Sequence, residues 1–96
     1  MTKRELRVGI LGAGYISRYH ADSISHVPGA GLVAVFDLNE RAAQRLSLHR
    51  SDTEVFTDFE RMLDHANLDV VHILTQPDSH YALTKTALES GCNAIV

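Results

Sequence analysis

The feature that most constrains the fold of this chain is the stretch VGILGAGYIS at residues 8–17. It begins as an apolar run typical of a buried strand, breaks at Gly12 and Gly14, and continues in a pattern typical of an amphipathic helix. Gly12 would allow the tight turn at the strand end, and Gly14, which lacks a Cβ, would let a pyrophosphate approach the backbone. The unpaired N–H groups at the start of the helix would favour that anion. The order of strand, glycine turn and helix therefore indicates a dinucleotide phosphate site.

This stretch departs from the full fingerprint Gly-x-Gly-x-x-Gly at its third position, which is Ser17. In the fingerprint, that glycine lets the helix pack closely against the strand. Because serine is small, we expect a slight spreading of helix and strand without loss of the site. A glycine pair after an apolar run is by itself often only a turn, so the interpretation depends on the rest of the chain.

Size and charge exclude several classes of protein. Ninety-six residues allow one small domain, and a hydrophobic content of 45% is enough for a core. The net charge of −3 argues against a nucleic-acid-binding protein, since such proteins carry a surplus of Lys and Arg. No apolar run approaches the ~20 residues that span a bilayer, and the early apolar run is interrupted by glycines, unlike a secretory signal. We therefore predict no nucleic-acid partner and no membrane.

The cysteine and the histidines suggest no metal site. Cys92 is the only cysteine, which excludes an internal disulfide and suits a reducing cytoplasm. His72 lies within an apolar strand and His20 on a helical stripe, so both are most simply core residues. No pair of histidines has metal-ligand spacing with a third ligand.

Strand and helix patterns alternate five times along the chain. Apolar runs predict strands at residues 6–11, 32–36, 55–56, 70–74 and 94–96. Helices are predicted at residues 15–26, from Asp37 or Asn39 as cap to Leu48, from a Thr57–Glu60 capping box to Asn67, and from Asp78 or Ser79 as cap to Gly91. Continuous apolarity is typical of parallel strands covered on both faces. The alternation predicts an α/β fold, a doubly wound parallel sheet (Rossmann) in three layers with strand order 3-2-1-4-5.

Apolar residues at helical spacing predict which face of each helix is buried. The expected inner faces are Ile16, His20, Ile24 and Val27 in the first helix, Ala42, Ala43 and Leu46 in the second, Phe59, Met62, Leu63 and Ala66 in the third, and Leu83, Ala87 and Leu88 in the fourth.

Asp37 ends the second predicted strand, 25 residues after Gly12. A carboxylate there can accept both hydroxyls of an adenine ribose. It disfavours a 2′-phosphate, since two like charges ~4 Å apart at an effective dielectric of ~20 repel by roughly 4 kcal/mol. The position favours NAD over NADP. Asp37 could also cap the second helix, and Arg41 could reach a phosphate, stack on the adenine or be solvated.

A further polar segment, from Thr75 to His80, follows the fourth predicted strand. Pro77 fixes the backbone and pushes Gln76 into an extended conformation, so that peptide groups and the Thr75 hydroxyl would face a nicotinamide ribose. An ordinary strand-to-helix turn is the alternative, with His80 facing solvent or packed rather than catalytic. The glycine turn, Asp37 and this loop all follow strands, and doubly wound sheets bind ligands at the carboxyl ends of strands.

Several segments together resemble those of one enzyme family. They are residues 8–17, 32–37 and 69–80, the last ending in Thr-x-Pro-x-x-His, with His20 and residues 87–91. They resemble the glucose–fructose oxidoreductase/inositol dehydrogenase/rhizopine-catabolism (Gfo/Idh/MocA) family of NAD(P)-dependent oxidoreductases. The resemblance covers essentially all 96 residues, and the combination is specific although each motif alone is not.

The resemblance implies an enzyme of two domains. An N-terminal Rossmann domain holds the cofactor, and a larger α+β domain supplies most of the substrate pocket and the oligomer interface. In the family, the fifth strand runs into a Glu-Lys-Pro motif whose lysine helps position or protonate the substrate oxygen, and an Asp and a His follow in the second domain. Because the sequence ends at Val96, we expect residues 1–96 to be a truncated NAD(P)-binding domain with no catalytic residue and little turnover alone.

The resemblance also implies which residues contact the cofactor. Those around the pyrophosphate would be Gly12, Ala13, Gly14, Tyr15 and Ile16. Those at the adenosine end would be Asp37, Leu38 and Arg41. Those on the nicotinamide side would be Thr75, Gln76, Pro77 and His80.

The function predicted from the sequence is that of a cofactor domain. The parent oxidoreductase would transfer hydride between NAD(H) and a sugar, polyol or related hydroxyl or carbonyl compound. The alternative is a non-catalytic Rossmann module that senses NAD(H). A methyltransferase is disfavoured, because residues 8–14 lack the acidic residue that methyltransferases usually place before their glycines. An unpaired sheet edge and uncovered apolar surface favour a homo-oligomer.

Overall fold

A computed structural model describes residues 5–48, 50, 52–75 and 77–96. Strands and helices alternate along the chain, with a short 3₁₀ turn, Pro77–Ser79, before the last helix. The strands are β1 (Leu6–Leu11), β2 (Ala30–Phe36), β3 (Glu54–Phe56), β4 (Val70–Ile73) and β5 (Asn93–Ile95). The helices are α1 (Ser17–Ser25), α2 (Glu40–Ser47), α3 (Phe59–His65) and α4 (His80–Glu89).

The five strands form one parallel sheet in the order β3-β2-β1-β4-β5, which confirms the predicted topology. Neighbouring residues of a strand point to opposite faces of the sheet. Ile10 accordingly packs with residues of α1 and α2, whereas Leu11 packs with residues of α3 and α4. The helices thus cover both faces, and the fold has the three layers expected from continuous apolar strands. The chain changes direction in the sheet between β1 and β4, which leaves a crevice at their carboxyl ends.

The buried face of α1 differs from the predicted stripe. Its buried residues are Ser17, Ala21 and Ile24, whereas Ile16 and Val27 are each 51% exposed. The reason is that the helix begins after Ile16 and ends before Val27, so that these two side chains flank it. The residues that α1 buries are thus two small ones, Ser17 and Ala21, together with Ile24.

The cap of α2 is one of the two residues predicted for it, whereas the cap of α3 differs from the prediction. The side chain of Asn39 caps α2 by accepting the Ala42 N–H at 3.2 Å, so Asp37 is not the cap. Asp58, and not Thr57, caps α3, because its carboxylate accepts the Arg61 N–H at 3.2 Å one residue further along the chain. That shift removes the predicted capping box, since the box requires Glu60 at the third helical position.

In α4, the predicted side-chain cap is wrong. Ser79 occupies the cap position without a side-chain cap bond, and its hydroxyl instead lies 2.6 Å from that of Thr75. Leu88, predicted to face the core, is 56% exposed, whereas Ala87 is fully buried. The predicted left-handed residue after the helix is confirmed, since Gly91 has a φ of 89°.

Candidate functional site

Gly12 occupies the point where three strands end. Its φ is 98°, a backbone conformation that residues with a side chain rarely adopt. Its N–H donates to the Phe36 carbonyl of β2 at 2.7 Å. A Cβ added to Gly12 would lie 3.0 Å from the Leu74 carbonyl oxygen at the end of β4. The glycine is therefore needed both for its backbone conformation and for the close approach of β4.

Gly14, two residues later, faces open space. A Cβ added there would meet no atom of the described chain within 4 Å. The turn is closed by the Ser17 N–H, which donates to the Gly14 carbonyl at 3.1 Å. Tyr15 and Ile16, the other residues of the turn, are exposed. The backbone before α1 is thus open, and the phosphate site expected there stays a prediction.

Ser17, at the third position of the fingerprint, is fully buried. Its hydroxyl donates to the Gly14 carbonyl, which satisfies the buried polar group. The serine therefore adds a bond that holds the glycine turn against the first turn of α1. The expected spreading of helix and strand stays a prediction.

The carboxylate of Asp37 links two loops at the crevice. Its Oδ2 accepts the Ala13 N–H of the glycine turn at 2.8 Å, and its Oδ1 accepts the Asn39 N–H at 2.8 Å. These bonds hold the half-buried carboxylate beside the open backbone of the glycine turn. Each carboxylate oxygen has two lone pairs, so one on each remains for further donors. Leu38 and Arg41, the other residues predicted at this end, have exposed side chains next to the acid.

The loop after β4 is held by its own polar groups. The Leu74 N–H donates to the Leu11 carbonyl at 2.8 Å, which ties the loop to the end of β1. His80 is packed, which is one of the two positions predicted for it. Its ring is half-buried, and Nε2 lies 2.7 Å from the Thr75 carbonyl oxygen. A carbonyl only accepts, so Nε2 carries the proton. Pro77 is exposed, and Gln76 lies outside the described residues.

A pair of histidines lies between α1 and β4. The Nδ1 atoms of His20 and His72 are 3.4 Å apart, and the rings meet edge to face with centroids 5.6 Å apart. Burial, and secondarily the neighbouring His20, lowers the pKa of His72 from its usual 6.5. The sequence does not predict this pairing, since 52 positions separate the two residues. The one sequence feature consistent with it is that His20 lies on the predicted inner face of α1 and His72 lies within the apolar strand β4.

The described residues contain neither a cluster of metal ligands nor a membrane-spanning helix. None of their His, Cys, Asp and Glu side chains form a group of three or more that could hold a metal ion. Among the same residues, no helix has the length and apolar character needed to cross a bilayer.

Comparison with known proteins gives consistent relatives. Inositol 2-dehydrogenase 4 from Saccharopolyspora erythraea is 36% identical over 92 residues, which are 95% of this chain and 27% of that protein. D-glucoside 3-dehydrogenase from Escherichia coli is 35% identical over 96 residues, which cover 99% of this chain and 27% of the enzyme. This chain thus spans about a quarter of the length of the curated relatives it matches.

Solved structures share the fold as well. The apo scyllo-inositol dehydrogenase from Lactobacillus casei aligns with a TM-score of 0.89 and 28% identity, over 98% of this chain and 28% of that one. The myo-inositol dehydrogenase from the same organism, solved with NAD(H) and myo-inositol, aligns with a TM-score of 0.85 and 26% identity, over 94% and 27%. The model of the Gfo/Idh/MocA oxidoreductase family, described by its NAD-binding Rossmann fold, matches residues 6–96. The chain therefore belongs to the Gfo/Idh/MocA oxidoreductase family.

Proposed function

We propose that the crevice at the carboxyl ends of β1, β2 and β4 binds NAD(H). The observation that carries the proposal is the pairing of open backbone at Gly14 with the fixed carboxylate of Asp37. The diphosphate would lie over the turn formed by Gly12, Ala13 and Gly14, with Tyr15 and Ile16 at its edge. Bound in this way, the nicotinamide would supply the hydride chemistry of an oxidoreductase.

The adenosine end of the cofactor would lie at Asp37. The free lone pairs of the carboxylate can accept the two ribose hydroxyls while its bonds to Ala13 and Asn39 persist. Leu38 is 83% exposed and offers an apolar side chain for the adenine face, with Arg41 nearby to stack on it. A 2′-phosphate would meet the negative charge of the acid, so we propose NAD rather than NADP.

The nicotinamide side would lie along residues 75–80. The bond from His80 to the Thr75 carbonyl fixes the backbone that would face the ribose. The Thr75 hydroxyl shares a hydrogen bond with Ser79 and is held at the same edge. We propose that Thr75, Pro77 and His80 shape this end of the site together with Gln76.

The whole protein would be an oxidoreductase of sugars, polyols or related compounds, as its relatives' names indicate for them. We propose that residues 1–96 are its cofactor domain and contribute no catalytic residue. The exposed apolar side chains of Ile95 and Val96, at and just after the edge strand β5, favour packing against further protein, including a second copy. A cytoplasmic location fits a chain with one buried, unpaired cysteine among its described residues.

Two glycines allow a test that separates binding from folding. Gly14 has room for a methyl group and no left-handed backbone, so Gly14→Ala should keep the melting temperature but obstruct the diphosphate. Gly91 also has room, but its φ of 89° makes Gly91→Ala cost about 1–2 kcal/mol of stability without touching the crevice. By isothermal titration, we expect at least ~10-fold weaker NAD binding for Gly14→Ala only, a loss of about 1.4 kcal/mol.

Equal NAD affinity in the wild type and Gly14→Ala would contradict the proposed diphosphate position. Titration with S-adenosylmethionine checks the ligand class, since a methyltransferase would bind it in preference to NAD. Detectable NAD binding together with no S-adenosylmethionine binding is the expected result.

A further inference from the structure

A groove between α1 and α2 adjoins the crevice at the glycine turn. Its cavity volume is about 530 Å³, within the ~300–1,000 Å³ typical of small-molecule sites. It starts at Ala13, Gly14 and Tyr15, which it shares with the proposed diphosphate position, and extends to Leu48 and Arg50 beyond the end of α2. Asp37, the proposed partner of the adenosine ribose, does not line the groove.

The charges along the groove are mainly positive. Three arginines line it, Arg18 from α1 and Arg45 and Arg50 from α2 and the segment after it. Among the described lining residues, Asp22 is the one acid, and it is already paired with Arg50 at 2.6 Å. Arg18 and Arg45 make no hydrogen bond or ion pair with any part of the chain that the structure describes. Two positive charges are thus left for an anion.

Arg50 is fixed in place before any ligand arrives. One of its terminal nitrogens donates to the Leu46 carbonyl at 3.0 Å, and the other donates to Asp22. A guanidinium held by two partners loses little side-chain entropy when a ligand binds. Arg50 therefore stands at one end of the groove with its charge partly offset by Asp22, and Arg18 and Arg45 carry the unpaired charges.

The floor of the groove is apolar. It is formed by the buried side chains of Ala42 and Leu46 in α2, whereas the lining residues Leu48 and Tyr15 are exposed. Guanidinium groups bind phosphates with two parallel hydrogen bonds, and an apolar floor suits a carbon skeleton attached to the phosphate.

We propose that this groove is a second anion site, which takes a small phosphate ester. The proposal does not depend on NAD binding in the crevice. The phosphate ester would be a molecule separate from the cofactor, because the adenosine end of the cofactor is proposed to lie at Asp37, which does not line the groove.

The test compares two double variants with the same change in net charge. Arg18→Gln/Arg45→Gln removes the unpaired cations of the groove, and Arg61→Gln/Lys85→Gln removes two exposed cations on α3 and α4. The probes are inorganic pyrophosphate and phenyl phosphate, titrated into the chain with and without saturating NAD. We expect the groove variant to bind both probes at least ~10-fold more weakly than the wild type and the control.

A second titration, with NADP, tests whether the arginines belong to the cofactor site instead. Loss of affinity for NADP but not for NAD in the groove variant would assign them to the 2′-phosphate and overturn the proposal. Binding of pyrophosphate to the NAD-saturated wild type, and its loss in the groove variant, would support a separate site. The proposal is overturned if the wild type binds neither probe, or if both double variants weaken binding equally.

Discussion

The substitution Asp37→Asn tests how the carboxylate selects the cofactor. Asparagine has nearly the shape of aspartate but no charge, and its single carbonyl oxygen can accept only one of the N–H bonds now made by Ala13 and Asn39. Its NH₂ group would face the other donor. Hydrogen bonds to a charged group contribute about 1.5–3 kcal/mol, so we expect the free energy of unfolding to fall by roughly 1–3 kcal/mol.

Cofactor affinity should change in opposite directions for the two dinucleotides. Loss of the charged acceptor for the ribose hydroxyls should weaken NAD binding by about 1.5–3 kcal/mol, or roughly 10- to 100-fold. The repulsion of a 2′-phosphate, roughly 4 kcal/mol at full strength, is screened at a half-buried carboxylate, and we take about 2 kcal/mol as its effective size. The ratio of NAD to NADP affinity should therefore fall by at least ~100-fold.

The assay is isothermal titration of each dinucleotide into the wild type and Asp37→Asn. Urea unfolding should first establish that both are folded under the titration conditions. Asp64→Asn, an exposed acid on α3, gives the same change in net charge and serves as the control. Since the ratio of two affinities does not depend on the folded fraction, a folded Asp37→Asn protein with an unchanged ratio would refute the reasoning.

Three more predictions concern stability and pH. Gly12→Ala should lower the free energy of unfolding, measured by urea titration, by at least ~2 kcal/mol. The reason is that the alanine would have a left-handed backbone and a Cβ only 3.0 Å from the Leu74 carbonyl oxygen. A loss no larger than that of Gly91→Ala would contradict this. Asn39→Ala should lose about 1 kcal/mol of the free energy of unfolding with its cap bond, and wild-type stability would count against the cap. The pKa of His72 is lower in the folded chain than its usual 6.5, so the unfolded chain binds the His72 proton first as pH falls. The stability due to neutral His72 is therefore present above pH 6.5 and is lost as pH falls through the lower folded pKa. His72→Gln should accordingly flatten the fall in melting temperature as pH falls below the usual pKa of 6.5, whereas an unchanged slope relative to the wild type would assign the acid sensitivity elsewhere.

The sheet could be predicted because its signals are local. Continuous apolar runs separated by helical patterns determine a parallel order, and the glycine turn and Asp37 each follow a strand. A three-residue strand such as β3 is short, yet its position between α2 and α3 in the chain still places it at the edge of the sheet. The predicted order therefore depends on the alternation of elements and not on the bounds of any one of them.

Features that depend on contacts between distant residues could not be predicted in the same way. Thr57 and Asp58 are adjacent and both are good cap residues, so only the packed position of α3 decides between them. The pairing of His20 with His72 needs α1 to lie over β4, which no local pattern specifies. The bonds of Asp37 to Ala13 and Asn39 likewise appear only when the turn and the loop after β2 meet.

The same backbone contacts that close the sheet also build the candidate site. Gly12 donates its N–H to the end of β2, and a side chain at this position would press on the end of β4, so glycine allows the strand ends to approach this closely. One residue further, the Ala13 N–H holds the carboxylate of Asp37 in place. Changes at Gly12 should therefore impair folding and binding together, whereas changes at Gly14, which contacts nothing on its open side, should impair binding alone. If the two glycines could not be separated in this way, the open backbone at Gly14 would be a structural feature and not a ligand surface.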